Sequence, residues 1–226
     1  MNIKKVVKFL YLKFRKNNFF IYLNNLINNK IHINKKSKLI ISKSIMSKCC
    51  INMRGKNNVV EIKDNCILRN SKIDIYGEDT YVLIDKNVIA NGLHIWCEDK
   101  NSRVIIGKDT TFHGQIKLSC IEGTEISIGD DCMFSSNIDI VTGDSHSIID
   151  LSRNRINPSK NIVIEDHVWI GQKNTILKGA YISKNSIVGA GSVVSKQFEK
   201  DNVIIAGVPA RVIKEDINWD RKRIDI

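Results

Sequence analysis

Acidic residues are missing from the first sixty positions of this 226-residue chain. Glu61 is the first carboxylate, whereas residues 1–60 hold fourteen Lys and Arg. The formal net charge is +11, and +11 − 14 leaves −3 for residues 61–226. The positive charge therefore belongs to an N-terminal arm and not to the body of the protein.

Prolines, paired cysteine motifs and long apolar runs are also scarce. Pro158 and Pro209 are the only prolines, and both stand at the edges of regular runs. The six cysteines follow no CxxC spacing in a chain too long to depend on disulfides, which predicts reduced thiols, no zinc site and a cytoplasmic protein. No run of eighteen uncharged apolar residues occurs, so we expect neither a membrane-spanning helix nor a cleaved signal peptide.

What the sequence does contain is a six-residue repeat. This period fits neither the 3.6-residue turn of a helix nor simple strand alternation. It fits a chain that turns a corner every six residues, with one aliphatic side chain pointing inward from each flat side and small residues at the corners. The pattern predicts an all-β coil with three sides; the alternative is an antiparallel β-sandwich with chance spacing. The repeated positions are Ile164, Ile170, Ile176, Ile182, Val188 and Val194.

A longer period precedes the hexads. The segments IKDN, IDKN, IGKD and IGDD start 22 residues apart, at 62, 84, 106 and 128. Since a three-sided coil needs eighteen residues, about four per coil must form a loop. The next matching segment, IEDH at 164–167, follows after 36 residues, and the surplus contains GDSHSIID at 143–150. We therefore expect a long loop at 141–161.

Both ends of such a coil must be covered. We divide the chain into a basic N-terminal extension at 1–48, a coil at 49–205 and a C-terminal cap at 206–226. Apolar residues at helical spacing within residues 3–14 predict an amphipathic basic helix that lies on an anionic membrane surface. The alternative is a solvated helix that caps the coil. Nucleic acid is not expected, because no aromatic-and-basic recognition motif accompanies the charge.

The chain resembles the hexapeptide-repeat acyltransferases, and among them the O-acetyltransferases of capsular polysaccharide, lipopolysaccharide and sialic acid. The resemblance implies a left-handed parallel β-helix, although most crossovers are right-handed. It also implies a homotrimer, acetyl-CoA as donor and a carbohydrate acceptor. The motifs that carry it are GDSHSIID (143–150), HVWIG (167–171), ILKGAYISKNSIVGAGSVVSK (176–196), AGVPARVI (206–213) and INWDR (217–221).

His146 is the candidate general base. Acetyl transfer from a thioester to a sugar hydroxyl needs a base, because an alcohol is a poor nucleophile until its proton is removed, and histidine is largely neutral at cytoplasmic pH. Asp144 orients the imidazole, binds substrate or caps its own loop. The resemblance places Trp169 beside the histidine; alternatively it is a wall of the coil. His146 itself has the alternative of hydrogen-bonding its own loop.

Candidate ligand contacts follow from the same motifs. The resemblance assigns Gln172, Ala190 and Ser195 to coenzyme A, together with Lys196 and Arg211. Those two cations also suit the 3′-phosphate of its nucleotide, although each is equally explained as a solvated surface charge.

Three further residues are candidates for acceptor binding: Ser145 beside the histidine, and Arg153 and Arg155 in the LSRNRIN stretch. The two arginines suit a carboxylate or phosphate, or they close the loop.

Two rival functions use the same coil. An N-acetyltransferase of sugars or sugar nucleotides would share the mechanism, but DSHSIID and INWDR look more like the O-acetyl branch. A γ-class carbonic anhydrase would need three zinc-binding histidines from neighbouring subunits. His113 and His146 have no third partner in the pattern, because His167 falls inside the hexads, so no metal is expected.

Overall fold

A computed structural model describes residues 28–225, which form a β-solenoid of parallel strands with three flat sides. The predicted all-β, left-handed parallel β-helix is confirmed. The helix expected within residues 3–14 lies outside the described residues. No helix in the described part of the chain has the length and apolar character to cross a membrane.

Strands on each side stack in parallel along the coil axis. Side 1 consists of β2 (Lys38–Ile41), β5 (Val59–Ile62), β8 (Tyr81–Ile84), β10 (Arg103–Ile106), β12 (Glu125–Ile128), β15 (Ile162–Ile164), β18 (Tyr181–Ile182) and β21 (Gln197–Phe198). Side 2 consists of β3 (Ile45–Ser47), β6 (Ile67–Arg69), the first halves of β9 (Ile89–Cys97) and β11 (Thr111–Cys120), β13 (Met133–Phe134), β16 (Trp169–Ile170), β19 (Ile187–Val188) and β22 (Ile204–Gly207). Side 3 consists of β1 (Lys30–Ile33), β4 (Cys50–Met53), β7 (Lys72–Ile75), the second halves of β9 and β11, β14 (Ile138–Val141), β17 (Thr175–Leu177) and β20 (Val193–Val194).

The strand register confirms both predicted periods. On side 1, partners are 22 residues apart where Tyr81 pairs with Arg103 and where Arg103 pairs with Glu125. The offset is 36 residues between Ile126 and Ile162, and 18 between Val163 and Tyr181. The extra residues of the long loop are therefore all accommodated at one corner of the coil. The strands before and after the loop still stack in register.

Inward-facing aliphatic side chains fill the prism. All six hexad positions from Ile164 to Val194 are at most 1% exposed. Each such burial contributes roughly 1.5–3 kcal/mol to the free energy of unfolding. In the middle coils Phe112 stacks on Phe134, with ring centroids 4.7 Å apart and an angle of 18° between the planes. All six cysteines are free, and five of them are buried.

The tight corners use polar residues more than glycine. The last residues of three successive segments have left-handed backbones: φ is 62° at Asn65, 61° at Asn87 and 62° at Asp109. Asn and Asp tolerate this left-handed region because their short side chains hydrogen-bond locally. Glycine is required where β9 and β11 continue around a corner: Gly92 and Gly114 have φ values of 80° and 115°. The expectation of small corner residues therefore holds only in part.

The coil boundaries differ from those expected at the N-terminal end. Strands β1, β2 and β3 lie within the predicted 1–48 extension, and β1 pairs in parallel with β4. Within the described residues the coil therefore already includes Lys30, ahead of the predicted start at residue 49. At the other end, β23 (Ala210–Lys214) reverses direction and pairs antiparallel with β22, which ends the repeat.

Candidate active site

The long loop, residues 142–161, leaves side 3 after β14 and returns to side 1 at β15. It therefore lies on the edge between these sides, called here the 3–1 edge. Its middle is a hairpin: Ile149 forms an antiparallel bridge with Arg155, and the Ile156 N–H donates to the Ile148 carbonyl at 2.8 Å. The hairpin exposes the apolar side chains of Ile148, Ile149, Leu151 and Ile156.

Asn157 holds the base of this loop. Its side-chain amide donates to Asp144 Oδ2 at 2.7 Å and to the His146 carbonyl at 2.8 Å. Its Oδ1 accepts hydrogen bonds from the Ile148 N–H at 2.7 Å and from Arg155 Nε at 3.2 Å. Because Asn157 is only 6% exposed, these bonds form away from most of the solvent. The backbone around His146 is therefore fixed by one buried amide.

Asp144 caps the loop and does not contact the imidazole. Lys178 Nζ donates to Asp144 Oδ2 at 2.5 Å, and to the Asn157 carbonyl at 3.1 Å. The hydrogen bond from Lys178 and then that from Asn157 lower the pKa of the Asp144 carboxyl, so it is ionised at neutral pH. Of the three roles expected for Asp144, these contacts match loop capping.

The His146 side chain is exposed, and no group within residues 28–225 hydrogen-bonds to its ring. The alternative that the ring bonds to its own loop is therefore absent from this structure. A fixed backbone with an unpaired imidazole leaves both ring nitrogens open to a ligand. Such a group can remove a proton from a hydroxyl at the 3–1 edge.

The two loop arginines are placed differently. Arg155 pairs with Glu122, with Nη1 2.7 Å from Oε1. Ser159 Oγ donates to the same carboxylate at 2.8 Å, so these contacts tie the loop to the preceding coil. Arg153 and Ser145 are exposed and have left-handed backbones, with φ values of 66° and 60°. Arg155 thus closes the loop, and Arg153 projects from the hairpin tip.

Trp169 lies on the outer surface of side 2 and is 37% exposed. Side 2 faces away from the 3–1 edge in a three-sided coil. Trp169 and His146 are therefore on opposite flanks of one chain, although sequence analysis expected them at one site.

The C-terminal tail packs beside Trp169. Trp219 is 6.1 Å from Trp169 between ring centroids. Arg221 anchors the tail to the edge between sides 1 and 2. Its guanidinium donates to Asp131 Oδ1 at 2.9 Å, Thr111 Oγ1 at 2.8 Å and the Cys132 carbonyl at 3.0 Å. Nothing in the local sequence indicated these contacts, which join residues 89 to 110 positions apart.

The coenzyme A candidates separate into three places. Gln172 and Ala190 stack on successive coils at the edge between sides 2 and 3, where the Gly191 N–H donates to the Gln172 carbonyl at 2.9 Å. Ser195 and Lys196 follow β20 and lie at the 3–1 edge, on the coil that ends the repeat. Arg211 is on β23, opposite Ala206. One chain therefore does not bring all five residues together.

Similarity to known proteins extends along most of the chain. The polysialic acid O-acetyltransferase of Neisseria meningitidis is 36% identical over 197 residues, which are 87% of this chain and 87% of that protein. The chain belongs to the hexapeptide-repeat acetyltransferases. It is thus an acyltransferase.

Solved structures agree with this assignment. The polysialic acid O-acetyltransferase OatWY is 36% identical, with a TM-score of 0.74 and coverage of 88% of this chain and 90% of that one. The polySia-specific acetyltransferase NeuO is 28% identical, with a TM-score of 0.75 and coverage of 86% and 90%. A polysialic acid O-acetyltransferase of Escherichia coli O1:K1 is 34% identical over 62% of this chain and 45% of that protein. No family model matches the chain.

A second polar cluster of this acetyltransferase lies on side 3 and was missed by sequence reasoning. Asp74, whose side chain is 1% exposed, accepts hydrogen bonds from His94 Nε2 at 2.9 Å and Asn52 Nδ2 at 2.8 Å, and pairs with Lys72 Nζ at 2.8 Å. Burial raises the pKa of the Asp74 carboxyl, but the three donors outweigh it and the pKa is lowered. The 22-residue period could have revealed this cluster, because it separates Asn52 from Asp74 and Lys72 from His94.

No three His, Cys, Asp or Glu side chains converge on a possible metal position within the described part of this acetyltransferase. His167 is held by protein groups instead. Its Nδ1 is 2.7 Å from Asp131 Oδ2, and its Nε2 is 3.1 Å from the Trp219 carbonyl oxygen.

Proposed function

We propose that this protein transfers the acetyl group of acetyl-CoA to a hydroxyl of a surface-glycan sugar, with His146 as the general base. The observation that carries the proposal is the 36% identity to the Neisseria meningitidis polysialic acid O-acetyltransferase over 87% of both chains. Acetyl transfer to a glycan hydroxyl is thereby supported for the chain as a whole. The loop geometry supports His146 as the base, since its ring is open to solvent on an anchored backbone.

Each step of the reaction can be assigned to a group. The imidazole of His146 takes the hydroxyl proton while the sugar oxygen attacks the thioester carbonyl, which gives a tetrahedral oxyanion. Collapse of this intermediate breaks the carbon–sulfur bond, and the imidazolium returns the proton to the departing thiolate. General base catalysis of this kind is worth roughly 10² to 10⁴ in rate, and positioning of both substrates supplies about 7–11 kcal/mol more.

The donor would lie along the 3–1 edge. His146, Lys178 and Lys196 occupy this edge on three successive coils, which are stacked about 4.8 Å apart. Because Lys178 pairs with Asp144, Lys196 is, of these two lysines, the one available to a phosphate of coenzyme A. Its Nζ lies 5.2 Å from the centroid of the Phe198 ring, which holds it at the surface.

In the homotrimer that we propose, a neighbouring subunit supplies the remaining part of the site. Trp169 is on the flank opposite His146, so a second copy must present its side 2 to the 3–1 edge for both residues to meet one acceptor. The exposed apolar hairpin around Leu151 supports such packing, because an apolar surface of this kind is buried in complexes. The cytoplasmic location and the membrane contact of the basic arm remain predictions from the sequence.

Release of free coenzyme A, measured with sialylated, uronic-acid, neutral and amino-sugar oligosaccharides, tests this function. We expect transfer to a hydroxyl of one glycan class, and loss of at least 10²-fold in kcat for His146→Ala. His32→Ala removes an exposed histidine from β1, at the far end of side 3, and serves as the matched control. Full turnover by His146→Ala would contradict the assignment of the base, and acetylation of amines alone would favour an N-acetyltransferase.

A further inference from the structure

A cavity on side 3 lies away from the 3–1 edge that carries His146. It has a volume of about 380 Å³ and opens where β9, β11 and β14 pass the edge between sides 2 and 3. Its lining combines amide, carboxylate, imidazole and ammonium groups, which suit a hydroxyl-rich ligand that also carries a negative charge. The polar lining residues are His94, Gln115, Lys117, Asn137 and Asp139.

One wall of this cavity is held in place by a hydrogen-bond network. His94 is fixed by the Nε2 contact to Asp74, a carboxylate almost completely removed from solvent. Asp74 also holds Lys72 and Asn52, so three successive coils, at β4, β7 and β9, share one network. A carboxylate hydrogen bond to one ring nitrogen sets the tautomer and leaves Nδ1 available to a ligand. A buried acid on an outer sheet face thus serves to orient His94.

An aromatic platform continues from the cavity. Trp96 and Tyr76 lie in contact, with centroids 4.6 Å apart and planes tilted by 40°. Cations flank both rings: Arg54 is 4.7 Å from the Tyr76 centroid, and Lys117 Nζ is 5.9 Å from the Trp96 centroid. Indole faces provide apolar contact area, and the ammonium group beside them offers charge-assisted hydrogen bonds to a carboxylate.

The charges of this face favour an anion at Lys117. Asp74 is neutralised by Lys72, and Glu98 accepts a hydrogen bond from Trp96 Nε1 at 3.3 Å. Asp139 is in register with Lys117 on the next strand, yet no ion pair within residues 28–225 involves Lys117. An exposed ammonium group at the mouth of a polar cavity is therefore open to a ligand carboxylate.

We propose that this face, made of Trp96, His94, Lys117 and the adjoining cavity, is a second carbohydrate site that binds a carboxylated sugar of the acceptor chain away from the point of acetyl transfer. The proposal rests on the glycan O-acetyltransferase function. The strand register links the two places: Trp96 pairs with Ser119, Ser119 pairs with Val141, and the His146 loop begins at the next residue. Two strand spacings, about 10 Å, separate the platform from the start of that loop. A polymer lying along side 3 therefore reaches the base.

Binding without acetyl-CoA tests the site directly. The affinity of the full-length protein for long polysialic acid chains is measured by calorimetry, and that for a sialic acid dimer serves as the short ligand. We expect Lys117→Ala and Trp96→Ala to weaken binding of the polymer at least tenfold, because a charge-assisted contact or a stacking surface is lost. Lys117→Arg should restore most of the affinity. Lys108→Ala, a lysine paired with Asp130 at 3.3 Å on another edge, is the matched control.

Kinetics and light scattering complete the test. In acetyl-transfer assays, Lys117→Ala should raise KM for the polymer about tenfold. We expect its kcat with either ligand, and its KM for the dimer, to be unchanged. Unchanged polymer affinity in both variants would overturn the proposal, as would equal competition by polyglutamate. A change of oligomeric state in Trp96→Ala would show that the face joins copies of the chain, which also overturns it. Absence of acetyl transfer by the unaltered protein would refute the proposed function, whereas calorimetry would still decide whether the site exists.

Discussion

Trp219 stacks on His167 with ring centroids 4.2 Å apart and an angle of only 7° between the planes. The two residues also exchange hydrogen bonds: Trp219 Nε1 donates to the His167 carbonyl at 2.8 Å, and His167 Nε2 lies 3.1 Å from the Trp219 carbonyl oxygen. They are 52 residues apart in sequence. The C-terminal tail is thereby fixed against side 2, next to the exposed indole of Trp169.

Loss of the Trp219 indole should release the tail. Trp219 is 8% exposed, and truncation of a buried aromatic side chain costs about 3 kcal/mol. We expect Trp219→Ala to speed hydrogen exchange in residues 215–221 on the order of 100-fold while the coil keeps its protection. Lys222→Ala, which alters an exposed neighbouring side chain, should leave exchange unchanged. Equal protection in Trp219→Ala and the unaltered protein would show that Arg221 alone holds the tail.

Docking of the tail should also depend on pH through Asp131. Burial raises the pKa of this carboxyl, but hydrogen bonds from His167 and Arg221 outweigh it and the pKa is lowered. A carboxyl with a lowered folded pKa stabilises the docked state above its ordinary pKa, about 4, and loses this contribution as pH falls through the folded value. We expect an acid step in tryptophan fluorescence below pH 4 that is reduced in Trp219→Phe. If Asp131→Asn shows the same step, another group is responsible.

Asn157 should control the rate without touching substrate. Its side chain bonds to Asp144, to the His146 carbonyl and to the Ile148 N–H, so Asn157→Ala frees the backbone that carries the base. Displacement of a base by about 1 Å costs on the order of 10² in rate. We expect kcat to fall roughly 10- to 100-fold, with little change in KM for acetyl-CoA. Asn154→Ala, at the hairpin tip, is the control, and equal effects of the two variants would contradict this role.

The fold could be predicted from the sequence because the same pattern of buried side chains recurs at a fixed interval along the coil. One inward aliphatic per side, as at Ile164 and Ile170, gives the same burial on every coil, so spacing alone predicted the register. The same period applied to polar residues would have paired Asn52 with Asp74. The partners of Asp144 were not accessible, since Lys178 reaches it only after the chain has completed a further coil. Strand β22 crosses the predicted boundary between residues 205 and 206, and the basic composition of residues 30–47 concealed three strands.

The opposite placement of His146 and Trp169 leads to a test of subunit sharing. His146→Ala and Trp169→Ala should each be nearly inactive. When equal amounts are unfolded, mixed and refolded together, chains of the proposed trimer combine at random. Half of the chains carry an intact His146 and half carry an intact Trp169. If each site takes these residues from two different chains, about one quarter of the sites regain both. Each variant refolded alone should stay inactive, as should the double variant mixed with either one. If the mixture recovers no activity although native mass spectrometry shows mixed trimers, both residues act within one chain and the proposed site between subunits is wrong.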